Sequence, residues 1–135
     1  MRQSTLTLAT PGRGLHDITG AVQDAVTGVK VGLCHLFLQH TSASLLVQEN
    51  WDPDVLRDLE DWFARIAPDG DPRHRHQSEG PDDMPSHIRS AITATSLTIP
   101  VTDGQLALGR WQAIYLFEHR TRPHTRRVVV TLVGG

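Results

Sequence analysis

Polar and apolar residues alternate along residues 3–9, with Thr5 and Thr7 set against Leu6 and Leu8, which predicts an amphipathic strand. Pro11-Gly12-Arg13-Gly14 then reads as a turn, and Asp17 as the N-cap of a short helix carrying Ile18, Val22 and Val26. Over residues 31–39 apolar side chains occupy both parities, the pattern of a central strand. On one parity Cys34, Leu36 and Leu38 lead to His40 at the strand's end. Residues 44–48 form a second strand-like run.

The clearest helix covers residues 53–67. Asp52 caps it, and Pro53 suits the first helical position, where its missing N–H leaves nothing unpaired. Val55, Leu56, Leu59, Trp62, Phe63 and Ile66 make one stripe at helical spacing. The opposite face sets Arg57 against Asp61 and Asp61 against Arg65, so Asp58, Glu60 and Asp61 read as a solvated surface. A polar loop follows over residues 68–83, of a length that is usually functional or disordered. A short helix over about residues 85–93 turns Ile88 and Ile92 inward and has His87 in its first turn. Strands at 97–101 and 105–108 flank an Asp103-Gly104 hairpin turn. Two more strands, 111–119 and 126–133, close the chain, the last apolar enough for burial on both faces. This order predicts an α+β fold over residues 1–135, one compact domain whose largely antiparallel sheet carries packed helices.

Composition narrows the classes. Hydrophobic content of 39% and charged content of 21% suit a soluble globular protein, and no apolar run reaches the ~18 residues of a membrane span. The first ten residues alternate and hold no signal-peptide core. A lone cysteine, Cys34, has no partner for a disulfide within the chain, which points to a reducing cytoplasm and a buried structural thiol. A net charge of −2 gives no case for nucleic-acid binding. Eleven of the fifteen acids lie between Glu49 and Asp83, and five arginines lie between Arg110 and Arg127. These blocks fit metal and phosphate partners, or complementary faces of an oligomer.

The chemistry centres on the stretch from His76 to His87, which sets two imidazoles around Glu79, Asp82 and Asp83 with almost no apolar content. Imidazole and carboxylate are the groups a divalent ion or an acid–base site requires. We expect His40, His76 and His87 to converge on one site, suited to Zn²⁺ with Mn²⁺, Ni²⁺ or Mg²⁺ as alternatives. His16, His35 and His124 lack such a setting, and His74 shares a loop with His76. Glu49 could be a ligand or base, or simply favour the helix that follows it. Glu118 shares parity with Ile114 and Leu116 and so points inward, where it requires a partner such as an arginine or a metal-bound water. Asp82 and Asp83 are either acceptors that orient imidazoles or a helix start. Thr41, Ser42 and Ser44 offer hydroxyls for phosphate beside His40. Gly109 and Arg110 precede Trp111, a residue that suits core or interface better than a substrate platform. No nucleophile elbow and no P-loop is present, which removes serine hydrolases and P-loop NTPases.

Six blocks carry a resemblance. They are His40-Thr41-Ser42-Ala43-Ser44-Leu45, Glu49-Asn50, Asp52-Pro53-Asp54, the run Glu79 to His87, Ser96-Leu97-Thr98-Ile99-Pro100-Val101, and Leu108-Gly109-Arg110-Trp111-Gln112. In this order and almost from end to end the chain resembles the YjbQ-type family, whose members are often labelled secondary thiamine-phosphate synthases. The resemblance implies a compact α+β domain that assembles as a homotrimer. It also implies a histidine-lined metal or anion site at His40, His76 and His87, with Glu49 and Glu118 nearby, acting on a small phosphorylated metabolite. Arg110 stands where the family has threonine, and His74 where it has tyrosine. The implied reaction joins hydroxymethylpyrimidine diphosphate to thiazole phosphate and releases pyrophosphate. A dedicated enzyme for that step is a TIM barrel, for which 135 residues are too few against a typical ~250, so the activity here would be an independent solution. A metal-dependent hydrolase of a small phosphorylated or acyl compound, and a non-catalytic metabolite- or metal-binding trimer, are the competing readings.

Overall fold

The alternation at the start of the chain becomes β1 (Arg2–Thr10) in a computed structural model that describes residues 1–135. It is followed by β2 (Gly14–Asp17), α1 (Thr19–Ala25), β3 (Gly32–Leu38), β4 (Ala43–Glu49) and α2 (Pro53–Ile66). Then come α3 (Asp83–Ala91), β5 (Ser96–Thr102), β6 (Gln105–Leu106), β7 (Gln112–Glu118) and β8 (His124–Gly134). The α+β class holds, and every strand pairing is antiparallel. The strands divide between two sheets, one ordered β1-β8-β3-β5-β6 and the other β2-β7-β4.

The two sheets share one apolar interior. Cys34, Leu36 and Leu38 on β3 and Val128, Val130 and Leu132 on β8 face Leu45 on β4 and Ile114 and Leu116 on β7. Val22 and Val26, on and just after α1, close one end of that layer. Burial pushes the Cys34 thiol up to about 11, so it stays protonated and acts as a small apolar group. The strand buried on both faces is β7, not β8: its other parity, Ala113, Tyr115 and Phe117, lies under the α2 side, with Phe63 edge-on to Phe117 at 5.2 Å. The outer face of β3 and β8 stays open, leaving Leu33, Phe37 and Val133 exposed.

Local signals account for most element ends. Asp52 accepts the N–H of Asp54 at 2.9 Å, as an N-cap should. Asp17 also accepts a first-turn N–H, that of Thr19 at 2.9 Å, although Ile18 holds the cap position. The Asp103-Gly104 turn has positive φ at both residues, 51° and 77°, which suits a tight hairpin. Three further expectations are corrected. Helix α3 begins at Asp83, two residues before Pro85, because a proline within the first turn gives up only an N–H that has no helical acceptor. On α2 Arg57 pairs with Asp54 at 2.9 Å rather than with Asp61. The stripe of α2 is also less covered than its spacing suggests: Phe63 is buried, while Trp62 and Ile66 remain exposed.

One polar tie joins the sheets. Glu118, fully buried at the end of β7, accepts from Arg126 of β8 through Nε at 2.7 Å and through Nη2, and from Thr10 of β1 at 2.6 Å. Arg126 Nη2 also donates to the Ser42 hydroxyl and carbonyl, which ties in the turn between β3 and β4. Replacing Arg126 by Met strands a buried carboxylate, so it is expected to lower the unfolding free energy by about 3–5 kcal/mol. Urea denaturation measures this, and a loss under ~1 kcal/mol would contradict the tie.

Candidate functional site

The histidine cluster starts with one turn of helix. Asp83 and His87 stand four residues apart on α3, so they share a face, and His87 Nε2 lies 3.0 Å from Asp83 Oδ2. The preceding loop brings His76 Nε2 to the same oxygen at 2.6 Å. The three ligand atoms all lie within 4.8 Å of one another. Asp83 is 2% exposed, whereas the two imidazoles open to solvent.

Arg120 fixes the carboxylate beneath them. Its Nη1 donates to Asp83 Oδ1 at 2.7 Å, its Nε to Asp82 Oδ2 at 3.0 Å and its Nη2 to the Glu79 carbonyl at 2.8 Å. Thr121 adds its N–H to Asp82 at 2.9 Å. Burial alone would raise both carboxyls. For Asp82 the bonds from Arg120 and Thr121 outweigh it, and for Asp83 the His76 bond and the charges of a doubly protonated His87 and of Arg120 do, so both sit below the ordinary carboxylate range. Asp83 is therefore an anion with one oxygen committed to Arg120 and one facing two imidazole nitrogens.

The tautomers give that arrangement its meaning. His87 Nδ1 lies 2.9 Å from the Thr41 carbonyl, which only accepts, so the ring proton of a neutral His87 resides there. Its Nε2 then presents a bare lone pair to a carboxylate oxygen at 3.0 Å. Two lone pairs at that distance repel. A second proton on His87 or a cation among the three groups removes the conflict. Two imidazole nitrogens and a carboxylate oxygen form a donor set suited to Zn²⁺, Mn²⁺ or Ni²⁺ and less to Mg²⁺, which takes oxygen ligands.

The cluster stands between two recesses. His76, His74 and Asp71 line one of about 490 Å³, and His40, Thr41 and His87 line a groove of about 550 Å³ with Ser90 and Thr93. His40 is thus a neighbour of His87 across the groove, not a third member of the cluster. Its Nε2 accepts the Arg127 N–H at 2.9 Å, and Nδ1 lies 3.4 Å from Arg126 Nη1. Partial burial and then the Arg126 charge hold the His40 imidazole below its usual value. His16 and His124 make local bonds to the Gly12 and Arg122 carbonyls, and His35 bonds across the sheet to Thr98.

The remaining expected residues are scattered. Glu118 found the arginine partner its parity requires, but its oxygens accept from Thr10, Arg126 and the Arg120 N–H and none is turned to the cluster. Burial would raise its carboxyl, and the Arg126, Thr10 and Arg120 bonds outweigh that and hold it low. Ser42 and Ser44 turn inward, Ser42 to Arg126 and Ser44 to His119 at 2.9 Å, while Thr41 stays exposed. Glu49 accepts the Asp52 N–H at 3.3 Å at the far end of β4, about 20 Å of strand from the Thr41 end. Arg110 is also at that far end, 4.8 Å over the Trp111 ring, which packs against Trp51 at 5.0 Å. Arg120 and His119 were not singled out from sequence. The two-residue step from Glu118 to Arg120 at the end of an apolar strand was the only cue for the arginine.

The model of a family described as "UPF0047 protein YjbQ-like" matches residues 4–135. The chain is 53% identical to UPF0047 protein sll1880 of Synechocystis over 98% of this chain and 91% of that one. Identity to UPF0047 protein YjbQ of Escherichia coli O157:H7 is 47%, over 98% and 97%. Its fold is similar to the crystal structure of the conserved hypothetical protein TT1486 from Thermus thermophilus, with a TM-score of 0.88 and 38% identity over 96% and 99% of the two chains.

The buried polar groups set a pH dependence. Burial above all, then the charge of Arg89, presses the His119 imidazole down from 6.5 to about 3. Below pH 6.5 the unfolded chain takes up a proton that folded His119 refuses, so stability falls as pH drops from 6.5 toward about 3. His40 acts in the same direction. Asp82, Asp83 and Glu118, all held low, add stability above the unfolded carboxylate value and lose it as pH falls through their folded values. His119→Gln is expected to flatten the fall between about pH 6.5 and 4.5 in urea titrations, leaving the steeper acid limb. An unchanged slope would contradict the role given to His119.

Proposed function

The chain belongs to the UPF0047 YjbQ-like family, and from that membership and the geometry around Asp83 we propose a metal-assisted transferase with thiamine-phosphate synthase activity. The observation that carries the reading is the approach of two imidazole Nε2 atoms to one Asp83 oxygen, with His87 turned by the Thr41 carbonyl. His76, Asp83 and His87 would hold a divalent ion, Zn²⁺, Mn²⁺ or Ni²⁺ before Mg²⁺. When bound, such an ion offsets the negative charge that gathers on a departing pyrophosphate.

The chain's own residues orient and select. Arg120 holds Asp83 in place, and the Thr41 carbonyl sets the ring of His87. The groove beside them, with the Thr41, Ser90 and Thr93 side chains and His40 along it, suits a small phosphorylated metabolite. In the reaction the bond between the pyrimidine methylene carbon and the diphosphate oxygen breaks, and its electron pair leaves with pyrophosphate. The lone pair of the thiazole ring nitrogen forms the new carbon–nitrogen bond. No proton has to be removed. This favours the transferase over a hydrolase with Glu49 or Glu118 as base, because Glu118 is saturated with donors and Glu49 lies at the far end of β4. We place the protein in the cytoplasm as a homotrimer, supported by the buried reduced Cys34 and by the open apolar face at Leu33, Phe37 and Val133.

The test mixes both phosphorylated precursors with the protein and Mn²⁺ or Zn²⁺. Thiamine phosphate is expected by mass spectrometry, with His76→Ala and His87→Ala each lowering kcat about 100-fold while far-ultraviolet circular dichroism is unchanged. Light scattering on the same sample is expected to give three times the 14.9 kDa chain. Phosphate or pyrophosphate released without the thiazole partner would replace this reading by the hydrolase. Tight binding of the diphosphate without turnover would replace it by a binding protein.

A further inference from the structure

Buried charges need partners, and one of them here has none. Of the charged side chains below one-tenth exposure, Asp82 and Asp83 pair with Arg120, and Glu118 pairs with Arg126. Arg89 on α3 is only 2% exposed and has no carboxylate within 4.0 Å. Its Nη2 donates to the Ala67 carbonyl at 3.2 Å, and its Nε has no acceptor at all. A guanidinium does not shed its proton to escape burial, so the site calls for an anion.

Arg89 lines a cavity of about 290 Å³ with Arg13, Glu60, Asp61, Ala64 and Phe117, between α2, α3 and β7. Asp69 and Glu60 act on its charge from a distance, but no carboxylate bonds to it. Asp69 is held by both terminal nitrogens of Arg13, at 2.8 and 2.9 Å. Glu60 turns Oε1 toward Gly14, where a Cβ would lie 3.3 Å from it. Asp61 is exposed on α2. His119, which feels the Arg89 charge, keeps a second buried nitrogen, Nδ1, without a partner.

We propose that this cavity binds a small oxyanion, a carboxylate or a phosphate, beside the guanidinium of Arg89. Nη2 gives one of its two N–H groups to Ala67, and the remaining guanidinium N–H groups match the oxygens of either group. The volume admits an anion carrying only a few further atoms. Glu60 and Asp61 on the wall disfavour a bare anion and favour one with a donor or positive group at its other end. The site is separate from the histidine cluster, and its ligand is expected to bind whether or not a metal does.

Isothermal titration of the full chain in EDTA with inorganic phosphate, and separately with acetate, tests this. Saturable binding at one site per chain is expected for at least one anion, and the preference between them identifies the ligand class. Glu60→Gln removes a competing charge and is expected to tighten the binding about tenfold. Ala64→Phe, at an exposed α2 position on the cavity wall, fills the space and is expected to abolish it, with the melting temperature of the unliganded protein little changed. His87→Ala should leave it intact. Binding that survives Ala64→Phe, that disappears in His87→Ala, or that is absent for both anions even in Glu60→Gln would overturn the proposal.

Discussion

The buried ion pair of Glu118 and Arg126 is the constraint on which the rest of this structure depends. An apolar interior alone would let two antiparallel sheets slide, since contacts between aliphatic side chains have little directional preference. A carboxylate and a guanidinium buried between them tolerate few alternatives, because each leaves the other unpaired when displaced. The pair sits where β7 ends and β8 begins, and Thr10 and Ser42 bring in β1 and the turn before β4. It also reaches the histidine site: Glu118 Oε2 accepts the N–H of Arg120, whose side chain then clamps Asp82 and Asp83. Sheet packing and imidazole geometry are thereby linked through Arg126, Glu118 and Arg120.

That linkage explains why a polar loop can present a defined site. Residues between α2 and α3 have few apolar side chains to anchor them. The Glu79 carbonyl, Asp82 and Asp83 are instead fastened to Arg120, so His76 and His87 meet over a carboxylate that cannot turn away. The unpaired Arg89, only six residues along α3 from Asp83, shows the opposite condition: a buried charge whose partner the chain does not supply.

Much of the fold was legible in the sequence because its signals are local. Period-two alternation marked β1, capping and a 3.6-residue stripe marked α2, and Asp103-Gly104 marked the hairpin. What escaped was set by distant contacts. Strand β2 is four residues long and exists through its pairing with β7, a contact about a hundred positions away. The division of the strands between two sheets likewise depends on which ones pair, and no local pattern records that. For the site, His76 and His87 stood out because imidazoles and acids crowd a loop without apolar content. Asp83 could be read as an orienting acceptor, and its i to i+4 relation to His87 was hidden only by placing the helix start two residues late. Arg120 had only its position two residues after Glu118 to mark it, since its partners lie 37 and 38 residues away. The serines after His40 looked accessible by composition, and their inward direction follows from Arg126 and His119, groups on other elements.

We propose that two imidazoles and one buried carboxylate form a cation site on this chain. Elemental mass spectrometry of untagged protein after gel filtration tests it most directly, on the wild type and on a His76→Ala, His87→Ala double variant of unchanged circular dichroism. About one equivalent of Zn²⁺, Mn²⁺ or Ni²⁺ per chain is expected in the first and none in the second. Metal-free wild type that takes up none of these ions when they are added would contradict it.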